Sequence, residues 1–245
     1  MPNSFTDNTL GPKPLGSPPE VYRIAMKLLS QKGSHSILDC PSGEGAFTAI
    51  AMNAGLHVTA ADLFTEQFKV ADMHCTHVDL NEALPFADHT FDAVTCLNGL
   101  HRVWARGRCI SEFSRVLKPG GVLLISFPNS TLFRRLLFLM TGTITKTTVG
   151  PPAAFLVDEM PSLSFRTNLS IVNVTSIAAA CRMKVTALAG VKPCLMSTML
   201  APLALVPILA SMASVFGAFP GMGAQNANRL PGLFCMNIVL AFQRE

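Results

Sequence analysis

The sequence predicts an α/β fold in which a doubly wound, mostly parallel sheet carries helices on both faces. Most strand-like segments are continuous apolar runs, which is typical of parallel strands buried on both faces. These runs alternate with segments of helical periodicity. The composition agrees, because 49% of the 245 residues are hydrophobic and only 14% are charged. That is enough apolar material for one large core.

The first half of the chain supplies two helices and four strands. The first helix is expected to begin at Pro18, because proline is favoured in a first turn, and to stop at Gly33. The second helix is the segment "AFTAIAMNAG", which ends at Gly55. The four strands are the short apolar runs "SILDC", "LHVTAAD", "CTHVDL" and "FDAVTCLN".

The second half of the chain continues the alternation. The segment "RCISEFSRVLKPGG" predicts an amphipathic helix closed by Pro-Gly-Gly, and "VLLISF" predicts a fifth strand. A further helix, "SIVNVTSIAAACRM", precedes the last two strands, "KVTALAG" and "GLFCMNIVLAFQ". The sequence therefore predicts seven strands.

The chain is predicted to form a single domain with a short arm. Residues 1–17 are rich in proline, glycine and polar residues and lack the apolar segment of a signal peptide, so we expect a flexible N-terminal arm. Residues 18–245 form the domain. Two segments, at about 130–168 and 191–231, interrupt the alternation of strands and helices. We expect these inserts to carry substrate specificity, as loops on a rigid scaffold do.

The second insert is unusually apolar. No charged residue lies between Pro193 and Asn228, and residues 195–219 are nearly all apolar. The stretch is long enough to cross a bilayer, but it lies between two strands predicted to share one sheet. Pro202 and Pro207 would also kink a helix. Three interpretations remain open: a lid over an apolar substrate, a homodimer interface, or a peripheral membrane contact.

Charge and cysteine usage exclude several classes of partner. The net charge of +4 comes from 19 basic and 15 acidic residues that are scattered along the chain, so no nucleic-acid-binding track is predicted. The seven cysteines form no CxxC pair and are odd in number, which indicates a reduced, cytoplasmic protein without a disulfide framework. His74, Cys75 and His77 lack further ligands nearby, and no metal site is predicted.

The turn after the first strand, "ILDCPSGEGAFT", is the strongest functional signal. Gly43 and Gly45 would let the backbone approach a ligand, but Thr48 stands where a dinucleotide fingerprint has its third glycine. That difference argues against NAD or FAD, and no phosphate-binding P-loop motif occurs. Asp39 would repel a pyrophosphate and would favour a ligand that carries a positive charge.

Three more polar residues follow this turn in order. Asp62 ends the second predicted strand, Asp79 lies near the end of the third, and Asn98 ends the fourth. Together with the turn, this order resembles the class I S-adenosylmethionine-dependent methyltransferases of the small-molecule subgroup, whose first motif reads D-x-G-x-G-x-G. The resemblance covers about residues 35–128. It departs from the motif at Pro41, where the family has its first glycine.

The resemblance implies a fold, a cofactor and a set of contacts. The fold would be a Rossmann-like sheet of seven strands whose last strand is antiparallel, and the cofactor would be S-adenosyl-L-methionine. The implied contacts are Asp39, Ser42, Gly43 and Gly45 with the methionine portion, Asp62 with the ribose, Asp79 and Leu80 with the adenine, and Asn98 beside the methionine end.

The expected reaction is direct, in-line transfer of a methyl group to a small molecule. His101 follows the fourth strand, so it is a candidate general base, and the alternative is that it only shapes the cofactor pocket. The two apolar inserts favour a hydrophobic acceptor, such as a lipid, a quinone or a polyketide-like molecule. The rival hypothesis is a non-catalytic protein that binds the cofactor, or has lost it, and acts as a partner or regulatory subunit.

Overall fold

The computed structural model describes residues 17–129, 169–193 and 235–245. These residues contain seven strands and four α-helices, with short 3-10 helices at Thr65–Gln67 and Leu100–Arg102. The strands are β1 (Ser36–Asp39), β2 (His57–Asp62), β3 (Cys75–His77), β4 (Phe91–Leu97), β5 (Leu117–Pro128), β6 (Met183–Pro193) and β7 (Cys235–Arg244). The helices are α1 (Pro19–Lys32), α2 (Ala46–Asn53), α3 (Arg106–Val116) and α4 (Ile171–Ala180).

The seven strands form one sheet in the order β3-β2-β1-β4-β5-β7-β6. Strand β7 runs antiparallel to both of its neighbours, and the pairs on the other side of β5 are parallel. The predicted α/β sheet with an antiparallel last strand is therefore confirmed. From β1 the chain first builds the sheet toward one edge, through β2 to β3. It then returns to the other side of β1 and continues from β4 toward the opposite edge. In such a sheet, ligands bind beyond the carboxyl ends of the strands at the point of reversal, here between β1 and β4.

The sheet has a buried cluster on each face, so helices cover both sides as predicted. One cluster joins the sheet to α3 and α4 and includes Phe113 and Val174. The other joins it to α1 and α2 and includes Leu29 and Phe47. Helix α1 ends at Gly33, which adopts a left-handed conformation with φ 63°, as expected for a glycine that terminates a helix.

Two predicted boundaries are wrong. Helix α3 ends at Val116, and the Pro-Gly-Gly segment expected to close it belongs to β5. The pairing of β4 with β5 shifts register between Phe91 and Ala93, as at a bulge, and this shift accommodates the extra residues of β5. Strand β3 ends at His77, so Asp79 lies on a loop beyond the strand rather than within it.

Several sequence expectations lie outside the described residues. These are the arm up to residue 16, the insert at 130–168 and most of the second insert, including the apolar stretch 195–219. None of the helices in the described part of the chain combines the length and apolar character needed to cross a membrane. The described cysteines are unpaired thiols. The same part of the chain contains no group of three or more metal-ligating side chains.

Candidate ligand-binding site

A cavity of about 360 Å³ lies at the carboxyl ends of β1, β2 and β4. Seven of the nine residues singled out in the sequence line it; Gly45 and His101 do not. The seven are Asp39, Ser42, Gly43, Asp62, Asp79, Leu80 and Asn98. Strand order explains this assembly, because the carboxyl ends of parallel neighbours meet at one edge of the sheet.

Asp39 is the most deeply buried carboxylate of the cavity wall, with 1% of its surface exposed. Its two oxygens accept hydrogen bonds from the hydroxyls of Thr48, at 2.6 Å, and Thr95, at 2.9 Å. Burial raises the pKa of Asp39 to about 6, although these two hydrogen bonds act to lower it. The negative charge of Asp62 adds to the rise. Asp39 is thus ionised at neutral pH but poorly solvated, so a cation in the cavity would stabilise it.

The hydrogen bond from Thr48 to Asp39 gives Thr48 a structural role. The sequence alone showed only that this position is not glycine. Thr48 lies one turn into α2, where a dinucleotide fingerprint would place its third glycine. Its hydroxyl points back to the end of β1 and holds the carboxylate. The helix and the strand therefore meet through a side-chain hydrogen bond rather than by close backbone packing.

Asp62 fixes the glycine turn. One carboxylate oxygen accepts the N–H of Gly43 at 2.8 Å, and the other accepts the N–H of Phe64 at 2.9 Å. The hydroxyl of Ser42 donates to the carbonyl of Ala61, 3.2 Å away. Ser42 lines the cavity, and this hydrogen bond ties the turn to β2.

Asp79 is oriented by a residue that sequence reasoning did not assign to the site. Its carboxylate accepts two hydrogen bonds of 2.8 Å from the main-chain and side-chain nitrogens of Asn81. The side-chain oxygen of Asn81 in turn accepts the N–H groups of Trp104 and Ala105 just before α3. This chain of contacts links the loop after β3 to the start of α3 and sets the direction of the Asp79 carboxylate.

The loop after β4 is shaped by Asn98 and Gly99. Asn98 has a positive φ of 56°, a conformation that asparagine tolerates better than most residues. Its N–H lies 3.0 Å from both the carbonyl and the hydroxyl oxygen of Ser126. The ring of Pro41 lies over Gly99 so closely that a Cβ there would be 2.3 Å from the proline Cδ. Gly99 therefore accommodates the proline that replaces the family's first glycine.

Gly99→Ala is expected to lower the free energy of unfolding by about 2 kcal/mol, because the added methyl overlaps Pro41. In the Pro41→Gly background, the same change should cost less than half as much. Urea unfolding of the four proteins measures this coupling. Gly107→Ala is the matched control, since a Cβ there meets nothing within 4 Å. Equal costs in both backgrounds would show that Pro41 is not the obstacle.

Gly45 and His101 are not among the described residues that line the cavity. Gly45 has φ 88°, and a Cβ there would be 2.4 Å from a methyl of Val70 and 2.8 Å from the ring of Phe68. It therefore lets the loop after β2 pack onto the glycine turn. His101 belongs to the 3-10 helix Leu100–Arg102 and is 8% exposed.

Several cavity residues carried no recognisable motif. Ser17 and Tyr22 come from the start of α1, Phe47 from α2, and Phe64 and Gln67 from the loop after β2. Only their position in the folded chain brings them to the site. Across the described lining, the charged side chains are four carboxylates and one guanidinium. They are Asp39, Glu44, Asp62, Asp79 and Arg102. This balance suits a ligand with a positive charge and hydroxyl groups, and it opposes a pyrophosphate.

Known proteins are similar to this chain over the region that contains most of the cavity residues. A family model described as a methyltransferase domain matches residues 38–125. A demethylmenaquinone methyltransferase of Clavibacter sepedonicus is 34% identical over 128 residues, which are 47% of this chain and 52% of that protein. Another, from Renibacterium salmoninarum, is 33% identical over 108 residues, 42% of this chain and 46% of that protein. The chain spans about half the length of the curated relatives it matches.

Solved structures share the fold at low sequence identity. An S-adenosylmethionine-dependent methyltransferase from Methanosarcina mazei superposes with a TM-score of 0.58 at 18% identity, covering 94% of this chain and 99% of that chain. The 1,6-didemethyltoxoflavin-N1-methyltransferase of Burkholderia thailandensis, solved with bound 1,6-didemethyltoxoflavin and S-adenosylhomocysteine, has a TM-score of 0.52 at 14% identity. That match covers 91% of this chain and 78% of the other. These likenesses show a Rossmann-like fold.

Proposed function

Because a family model described as a methyltransferase domain matches residues 38–125, we propose that the chain transfers a methyl group from S-adenosylmethionine to a small, hydrophobic acceptor. One observation carries the proposal: Asp79, Asp62 and Asp39 follow or end three adjacent strands, and all three line one cavity. Asn98 follows the next strand. Neighbouring strands lie about 4.8 Å apart, so the row from β3 to β4 spans about 14 Å. That length suits a nucleoside joined to an amino acid.

Each end of this row has a chemical role in the proposal. Asp79 and Leu80 would contact the adenine, and Asp62 would accept hydrogen bonds from the ribose hydroxyls. Asp39 would face the cationic methionine portion, with Asn98 beside it. In the proposal Ser42, Gly43 and Gly45 shape the turn that this portion approaches. Ser42 acts by holding the turn to β2, and Gly45 by admitting the loop that packs on it.

The residues of the site act mainly by positioning. S-adenosylmethionine supplies an electrophilic methyl group on a sulfonium, which is a good leaving group. Holding the two reactants in line in a water-poor cavity can lower the barrier by about 7–11 kcal/mol. We assign His101 to the wall behind Asn98 rather than to proton transfer, because it does not line the cavity formed by the described residues.

The acceptor class is the second part of the proposal. The matched relatives are named demethylmenaquinone methyltransferases, and one further relative is named a ubiquinone/menaquinone biosynthesis C-methyltransferase. We propose a hydroxylated, quinone-type ring with an apolar substituent as the acceptor and a ring carbon as the methylated atom. A lid over this acceptor, a homodimer interface and a peripheral membrane contact all stay sequence predictions for the apolar stretch 195–219.

The test is a combined binding and turnover measurement. In calorimetry, S-adenosylmethionine and S-adenosylhomocysteine are expected to bind, NAD is not, and Asp62→Ala is expected to weaken both adenosyl ligands. With methyl-labelled S-adenosylmethionine, a reduced demethylmenaquinone should become labelled. Binding without transfer to any acceptor would favour the rival, a non-catalytic partner protein. Absence of binding would overturn the proposal.

A further inference from the structure

Tyr22 enters the cavity from a part of the fold that the methyltransferase motifs do not include. It is the single tyrosine of the chain. It lies on the buried face of α1, is 7% exposed and lines the cavity together with Ser17. Its ring centroid is 5.8 Å from that of Phe47, at the start of α2. The phenol is thus held between two helices at the wall of the site.

The packing of α1 indicates which end of the cavity Tyr22 reaches. Helix α1 packs against β4, β5, β6 and β7. In the sheet order, these strands lie on the side of β1 opposite β2 and β3. Asp62 and Asp79 follow β2 and β3, so Tyr22 approaches from the far side. It therefore stands at the end of the cavity where Asp39 and Asn98 lie.

The protonation state of Tyr22 limits what it can do. Burial raises the pKa of Tyr22, hydrogen bonds from the main chain and side chain of Ser17 oppose the rise, and the negative charge of Asp39 adds to it. The phenol is therefore neutral at pH 7 and carries a proton to donate. A neutral phenol beside a carboxylate is a hydrogen-bond donor and not a base.

We propose that Tyr22 is a cofactor-binding residue whose phenolic hydroxyl donates a hydrogen bond to the carboxylate of the methionine portion. The inference rests on the proposed function. The α-carbon of that portion carries an ammonium and a carboxylate, and Asp39 attracts the first but repels the second. The carboxylate therefore needs a donor next to Asp39. Tyr22 meets this need, and Ser17 orients its hydroxyl.

The test uses Tyr22→Phe and three adenosyl ligands, of which only one carries the carboxylate. S-adenosylhomocysteine has the carboxylate and the ammonium, decarboxylated S-adenosylmethionine keeps only the ammonium, and 5′-deoxy-5′-methylthioadenosine has neither. Removing a hydrogen bond to a charged group is expected to weaken S-adenosylhomocysteine about tenfold. The affinities of the other two ligands should change by less than about twofold.

The controls separate a contact from a packing effect. Phenylalanine keeps the ring against Phe47, so the melting temperature should fall by only about 2–4 °C, through the lost contacts with Ser17. Ser30→Ala removes an exposed hydroxyl from the same helix and should leave all three affinities as they are. An equal loss for all three ligands, or no loss for S-adenosylhomocysteine, would overturn the inference. If the unaltered protein binds no adenosyl ligand, the proposed function itself is wrong.

Discussion

Asp39→Asn is expected to weaken S-adenosylmethionine binding by about a hundredfold while the fold stays intact. The aspartate is buried and would face a cationic ligand, and breaking a buried ion pair costs about 3 kcal/mol or more. Asparagine has nearly the same shape, and the hydroxyls of Thr48 and Thr95 can rotate to accept hydrogen bonds as well as donate them. The loss should therefore appear in ligand affinity and not in the content of secondary structure.

The same carboxylate predicts opposite pH dependences for binding and for stability. The pKa of Asp39 is about 6 in the folded protein, and a cation binds its ionised form. Affinity should therefore reach its plateau above pH 6 and fall about tenfold per pH unit below it. Because the folded pKa exceeds the ordinary value, the folded state binds the extra proton. Asp39 thus contributes stability at low pH that is lost as the pH rises from about 4 to 6.

Calorimetry between pH 5 and 7.5 checks the binding side, and urea unfolding over a wider range checks the stability side. In Asp39→Asn, both pH dependences should flatten. Asp72→Asn is the matched control, because Asp72 is exposed and has a positive φ of 57° that asparagine tolerates. Full affinity in Asp39→Asn, or a wild-type affinity that ignores pH near 6, would contradict the assigned role.

Much of the fold was predictable because local signals agree with one another. Apolar runs gave the strands, and Gly33 gave the end of α1. The prediction failed where a distant partner decides the outcome. The residues after Val116 look like a helix terminus, but they pair with β4 across a register shift, and local sequence does not contain that pairing.

The site residues likewise fall into those that local sequence indicates and those that only tertiary packing brings to the cavity. Asp39, Asp62 and Asp79 could be singled out because each lies at or just after the end of a strand, at a motif position. Asn81 and Tyr22 were not predicted as site residues. Asn81 acts through contacts to residues 23 and 24 positions away. Tyr22 lies on the buried face of α1, where the sequence pattern predicts a core residue. Contacts that depend on tertiary packing leave no local signature.

Gly45→Ala is expected to destabilise the protein by about 3 kcal/mol and to weaken cofactor binding with it. Part of the cost is backbone strain, because the residue has φ 88° and a side chain is unfavourable there by about 1–2 kcal/mol. The rest is overlap with Val70 and Phe68, for which overpacking typically costs about 1–3 kcal/mol. The loop that carries them is also tied to the turn by Lys69, whose N–H donates to the Glu44 carbonyl.

Two further variants separate strain from overlap. Gly33→Ala has a similar positive φ of 63° with nothing within 4 Å of the new Cβ, so it should lose about 1 kcal/mol and no ligand affinity. Val70→Ala removes the 2.4 Å contact but leaves Phe68 in place. In that background Gly45→Ala should cost roughly half as much and recover part of the binding. Identical costs in both backgrounds would mean that the contact with Val70 contributes nothing. Glycine would then be needed at this turn for its backbone conformation and for the approach of Phe68.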